Sequence, residues 1–284
     1  MVNMIKADFY RLVRSKAIYI GVIIMLLMIA SSIYLVEPGA MGVTGVVADS
    51  ESNAEWDESP YSDLTYEEIT SLSTSEIREM SLKRKDYKLD KDILKENMNM
   101  YYIFIFVVAI LLTVDFSGGC VKNTLSSAIS RNRYYSSKVV FITLCCTVLF
   151  FMNTYISYFA NIIFNNKNLA SSIGTVTKIT LMQMPEVLAL VSILAGIAFM
   201  VKKTSLFNTI SIPLIMLGQI AMGFIVTIFN INDKIFNYDL QVMFRRLADN
   251  PSDSYLRNSY LLCGAVIVVF NVLGYLSFKK AEIK

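Results

Sequence analysis

The chain has 284 residues, 55% of them hydrophobic and 17% charged, with a formal charge of +3 and no His. Those fractions are too apolar for an ordinary soluble domain. A mean hydropathy of +0.51 still suits a soluble protein with an oversized core, but the apolar residues form repeated uncharged runs long enough to cross about 30 Å of hydrocarbon. The missing imidazole excludes Ser-His and Cys-His nucleophile pairs, His-ligated zinc and HExxH metalloproteases. The cysteines Cys120, Cys145, Cys146 and Cys263 all lie in or beside apolar runs, away from the long polar segment, and read as small membrane-packing residues.

Residues 1–16 carry Ile5, Phe9, Leu12 and Val13 on one helical face, with Lys6, Arg11 and Arg14 elsewhere. This predicts an amphipathic helix lying at the inner membrane surface, with Phe9 and Leu12 toward lipid and Arg11 and Arg14 toward headgroups. Residues 17–36 hold no charge and are long enough to span about 30 Å of hydrocarbon. Four bases against Asp8 alone precede the run, which places the N-terminus inside. The run is also longer than the roughly 7–15-residue apolar core of a signal peptide.

Residues 37–98 form the large polar segment, with 15 acids, seven bases and a net charge of −8. Thr65 with Glu68 and Ser73 with Glu76 have capping-box spacing, and 75–98 is rich in Glu, Lys, Leu and Met. A helical extracellular insertion is expected. Five further spans follow near 98–114, 139–164, 179–201, 206–229 and 259–278, which places the C-terminus inside. On this topology the inner side holds 13 bases and three acids, the outer side 13 bases and 19 acids, as expected when Lys and Arg favour the cytoplasm. The expected fold is an all-α polytopic membrane protein of six spans.

Between the second and third spans, segment 117–137 is too patterned for a plain connector. Gly118 and Gly119 permit a chain break; Val121, Leu125 and Ile129 then recur at i, i+4 and i+8; Lys122, Arg131, Arg133 and Lys138 supply positive charge. Taken alone, these bases are either topology determinants meeting anionic lipid or part of a docking helix. With Gly119, a short helix, Ser130-Arg131 and Lys138 in this order after an N-terminal interfacial helix, the sequence resembles the permease subunits of ATP-binding-cassette exporters of the ABC type 2 class. The resemblance implies that the helix from Gly119 to Arg131, with Lys122, Leu125 and Ile129, docks into a separate nucleotide-binding ATPase subunit. It also implies a second permease copy, identical or related, and a route enclosed by the first, second and fifth spans with Gln219 facing it. The chain has no GxxxxGK phosphate loop, so ATP and magnesium would belong to the partner, and this chain would be a transport subunit and not an enzyme.

Glu186 is the ionisable group well inside an apolar run, where a carboxylate costs about 2.5–3.5 kcal/mol at a helix centre. Lys178 on the same span is a candidate to relieve that cost. Gln183, Pro185 and Glu186 share one turn and read either as a polar kink joining spans or as a proton or cation site. In the fifth span Pro213, Gly218, Gln219 and Gly223 suggest close helix packing.

Spans rich in Met, Phe, Ile and Leu suit an amphipathic cargo, and the −8 segment would attract cationic peptides. Export of toxin or antimicrobial peptides is the expectation. The competing readings are a gradient-driven transporter using Glu186 and a receptor using 37–98. No nucleic acid partner is expected, and an intramembrane enzyme lacks a catalytic group set.

Overall fold

The computed structural model describes residues 2–35, 94–95, 97–126, 129–164, 171–229, 233–249 and 251–280. Nearly all of the expected extracellular insertion, with Thr65, Glu68, Ser73 and Glu76, lies outside the described residues, as do residues 281–284. The described residues are helical, without strands. In chain order they form α1 (Val2–Arg14), α2 (Lys16–Leu35), α3 (Asn97–Ser117), α4 (Cys120–Ser126), α5 (Arg131–Phe164), α6 (Ile173–Val201), α7 (Thr204–Phe229), α8 (Leu240–Arg246) and α9 (Asp253–Lys280). Four of these, α3, α5, α6 and α9, are long and apolar enough to cross a membrane. Counting each bent helix pair as one span raises the number to six.

The bend between Met4–Arg14 and Lys16–Ser31 is 65°, so α1 leaves the axis of α2 as a separate arm. Its apolar face divides. Leu12 is buried against the bundle, whereas Phe9 and Val13 are exposed and free to meet lipid.

Helices α3 and α6 form the centre, with 67% and 72% of their most apolar windows buried, against 33% for α5 and 17% for α9. A helix apolar all round belongs in such a position. The outward faces of α5, α7 and α9 carry exposed Leu, Ile, Val, Met and Phe, the composition of a surface solvated by lipid. Within α3 the backbone loosens into a π-turn at Ala109–Thr113, where the Thr113 hydroxyl donates to the Ala109 carbonyl at 2.8 Å.

The α6/α9 pair makes the most extensive helix contact among the described residues. Gly196 and Gly274 face one another across it. A Cβ on Gly274 would lie 3.1 Å from Gly196 Cα, and one on Gly196 would lie 2.9 Å from the Phe270 carbonyl oxygen. Of the glycines read from the fifth span, Gly218 has nothing within 4 Å of its Cβ position, while that of Gly223 lies 3.7 Å from the Phe236 ring. Helix α7 instead divides at this point, Thr204–Gly218 and Ile220–Phe229 meeting at 64°.

Two boundaries differ from the sequence reading. Arg131, Arg133 and Lys138 are not in a loop but in the first turns of α5, a 34-residue helix about 51 Å long that projects beyond the hydrocarbon thickness. The short helix of the 117–137 segment is described over Cys120–Ser126, and residues 129 and 130 are not helical, so it does not run on into Arg131. Helix α8 is an addition. Asp239 caps it by accepting from the Gln241 and Val242 amides at 2.9 and 3.3 Å, and Met243, Phe244, Leu247 and Ala248 are buried in the bundle.

Candidate functional site

One end of the bundle gathers α1, α4, the start of α5 and the end of α9, and is here called basal. The other, where Lys95 pairs with Asp249 at 2.7 Å and α8 inserts, is distal. Each end contains a buried polar cluster.

At the basal end, Lys138 of α5 is 2% exposed, and its ammonium sits 2.6 Å from Asp8 Oδ1 and 2.5 Å from Asp115 Oδ2. The Leu111 carbonyl in the π-turn of α3 accepts from the same ammonium at 3.2 Å. The Tyr134 hydroxyl donates to Asp115 Oδ2 at 3.1 Å, and the Arg11 guanidinium pairs with Asp115 Oδ1 from a more exposed position. Two acids and two bases thus balance within one contact network. Burying Asp8, Asp115 and Lys138 costs several kcal/mol per ion, which the short contacts on a single ammonium offset, while Asp8 Oδ2 is left without a hydrogen-bond partner.

Three elements are tied together by this cluster: α1 through Asp8 and Arg11, the end of α3 through Asp115, and the start of α5 through Lys138. The last two bracket α4. The chain breaks after α3 because Gly119 takes φ +67°, a left-handed conformation that suits glycine, and α4 begins at once with the Asn123 amide bonded to the Gly119 carbonyl at 3.3 Å. Val121 is fully buried, and Leu125 and Ile129 pack against the same core. The apolar stripe read from the sequence therefore faces the chain's own bundle. Lys122 is on the exposed side.

An aromatic cage backs the cluster. Phe116, Tyr134, Tyr135, Phe199 and Phe278 meet with ring centroids 4.5–6.4 Å apart, joining α3, α5, α6 and α9. Arg131 donates to the Lys279 carbonyl at 2.5 Å, and the Tyr275 hydroxyl donates to Asn132 Oδ1 at 2.8 Å, tying the last turn of α9 to the first of α5.

Toward the distal end, Glu186 and Gln183 are fully buried. The Tyr101 hydroxyl donates to Glu186 Oε1 at 2.6 Å, and Gln183 Nε2 donates to the Phe244 carbonyl of α8 at 3.0 Å. Glu186 Oε2 and Gln183 Oε1 have no hydrogen-bond partner. Lys178 is exposed and does not partner Glu186; the group that meets the carboxylate is Tyr101, which apolar-run counting gives no reason to single out. The helix continues through Pro185 without a break.

Beside these residues runs a polar seam. Asn153 donates to Asn97 Oδ1 at 2.9 Å, Asn97 donates to Thr154 Oγ1 at 3.3 Å, and Ser157 and Asn161 continue the buried face of α5. The signal for the seam is present in the sequence as Asn153, Ser157 and Asn161 at i, i+4 and i+8. Gln219 stands on α7, away in sequence and element from both clusters.

The chain matches no model of a known protein family, and no curated protein or solved structure shows significant similarity to it.

Proposed function

We propose that this chain is the membrane-spanning permease subunit of an ATP-driven exporter resembling the ABC type 2 class, working as a pair of permeases with ATP and magnesium bound by a separate subunit. The observation that supports this reading most is the basal ion cluster. Asp8, Arg11, Asp115 and Lys138 join the lateral arm α1 to both flanks of the short helix α4. A push on α4 from a partner would reach α3 and α5 together through that junction, and neither end could yield alone. On this reading the basal end is cytoplasmic, in a bacterial plasma membrane, and Lys122 belongs to the partner-facing surface. The apolar outward faces and the acidic 37–98 segment suit an amphipathic, cationic peptide as cargo.

The test is purification of the full chain in mild detergent from its native membrane, with identification of co-purifying chains and an ATPase assay. The expected result is a stoichiometric partner carrying a phosphate-binding loop, whose ATP turnover falls when Lys122 is replaced by Glu. A folded chain that purifies without an ATPase overturns the proposal.

One observation favours a second reading, a gradient-driven transporter. Glu186 is a fully buried carboxylate with one oxygen unpartnered. That reading requires transport to continue without ATP and to stop in Glu186→Gln.

A further inference from the structure

The turn of α6 that carries Gln183 and Glu186 is enclosed between the start of α3 and α8, and both side chains are fully buried. Gln183 Nε2 donates to the Phe244 carbonyl at 3.0 Å and faces the Leu94 carbonyl at 3.5 Å. Turning the amide over would set Oε1 against two carbonyl oxygens, so its orientation is fixed and Gln183 Oε1 is an acceptor. The Tyr101 hydroxyl reaches Glu186 Oε1 at 2.6 Å, and its ring meets that of Phe244 edge-on at 5.7 Å, which closes the enclosure. Two oxygens are left over, Glu186 Oε2 and Gln183 Oε1, on side chains three residues apart, which are neighbours on a helix. Both are acceptors, and neither meets a donor among the described residues.

A buried acceptor without a donor costs about 1–3 kcal/mol, and an isolated buried carboxylate costs far more. No cation lies within ion-pair distance of Glu186 among the described residues. The titratable groups around it are Tyr101 of α3, the α8 cap Asp239, and Cys263 and Tyr260 of α9, the last bonded to the Met182 carbonyl one turn away. None carries a positive charge, and Asp239 adds a negative one. A single proton on Glu186 Oε2 answers both orphaned oxygens at once. It cancels the charge, and it supplies the donor that Gln183 Oε1 lacks.

We propose that Glu186 is a neutral carboxylic acid donating from Oε2 to Gln183 Oε1, so that Tyr101, Glu186, Gln183 and the Phe244 carbonyl form one unbroken hydrogen-bond chain from α3 through α6 to α8. Such a chain joins three elements inside the bundle without placing a net charge there. This pairing is the same whether ATP or a gradient drives transport. The test is infrared spectroscopy of the full chain in lipid nanodiscs at neutral pH, wild type against Glu186→Gln. The difference spectrum shows the carbonyl stretch of a protonated carboxylic acid, shifted by exchange into D2O and lying at the lower frequency of an acid that donates a hydrogen bond. Gln183→Met removes the acceptor, and in the folded variant, checked by size exclusion, the band moves to higher frequency. Where that variant does not fold, the position of the wild-type band decides. Three results overturn the proposal. The first is no difference band, which means an ionised Glu186. The second is a band at the frequency of a non-donating acid, or one unmoved in folded Gln183→Met. The third is a band abolished by sodium or potassium relative to choline, which assigns the site to a cation.

Discussion

Lys138 Nζ lies 2.5 Å from Asp115 Oδ2, although the whole of α4 separates the two residues in sequence. The contact closes the base of the 117–137 segment, and Asp8 on the same ammonium brings in the N-terminal arm.

Replacing Lys138 by Met strands two buried carboxylates: Asp8 loses its cation, and Asp115 keeps Arg11 and the Tyr134 hydroxyl. Removing one member of a buried ionic group costs about 3–5 kcal/mol. Thermal unfolding in detergent should show a large drop for Lys138→Met, most of it recovered when Asp8→Asn and Asp115→Asn are added. A triple variant no more stable than the single one would mean that the ionic contacts are not what Lys138 supplies.

The burial of Val121 separates folding from partner contact. Val121→Asp places a charge in the core and should lower the yield of monodisperse protein on size exclusion. Lys122→Glu, on the exposed side, should leave the elution profile and melting temperature unchanged and, on the exporter reading, reduce stimulation of the co-purifying ATPase several-fold. Equal behaviour of the two variants would contradict this division of the helix.

Tyr101 and Glu186 form a dependent pair. Tyr101→Phe leaves the carboxylate without its donor and should cost about 1–3 kcal/mol by denaturant or thermal unfolding, whereas Tyr101→Phe with Glu186→Leu should recover much of the loss. Glu186→Gln retains an acceptor for the Tyr101 hydroxyl, and on the exporter reading it keeps ATP-driven transport in proteoliposomes.

Helix packing predicts opposite outcomes at two glycines. Gly274→Leu drives a side chain into Gly196 and the Tyr135 hydroxyl, 3.1 and 3.2 Å from the position of its Cβ, and should destabilise by about 1–3 kcal/mol or more. Gly218→Ala meets nothing within 4 Å and should be neutral or stabilising by up to about 1 kcal/mol. A ranked series of melting temperatures decides it.

The long apolar helices were legible because uncharged runs are a one-dimensional signal, and the ends of α6 and α7 fall within a turn or two of where charge and hydropathy place them. The ion cluster was not legible. Asp8, Asp115 and Lys138 register in a charge count as residues on one side of a membrane, and only the 65° turn before α2 brings Asp8 onto Lys138. Arg131 and Lys138 read as loop residues because basic side chains end an apolar run without ending a helix. Gly196 and Gly274 carry no local sign that each is the other's neighbour. Helix α8 escaped notice because seven residues are too few for an amphipathic period, although Asp239 before it has the character of a helix cap. Val121 and Leu125 share a face of α4 while Ile129 stands outside that helix, and periodicity does not say whether a face meets its own bundle or another protein.

The Gly196–Gly274 crossing also sets a size limit on the seam between α6 and α9. With backbone almost touching backbone, neither position admits a larger side chain unless the two helices part. The seam is thus specified by what two residues lack, and a single added methyl group on either one is felt by both helices at once.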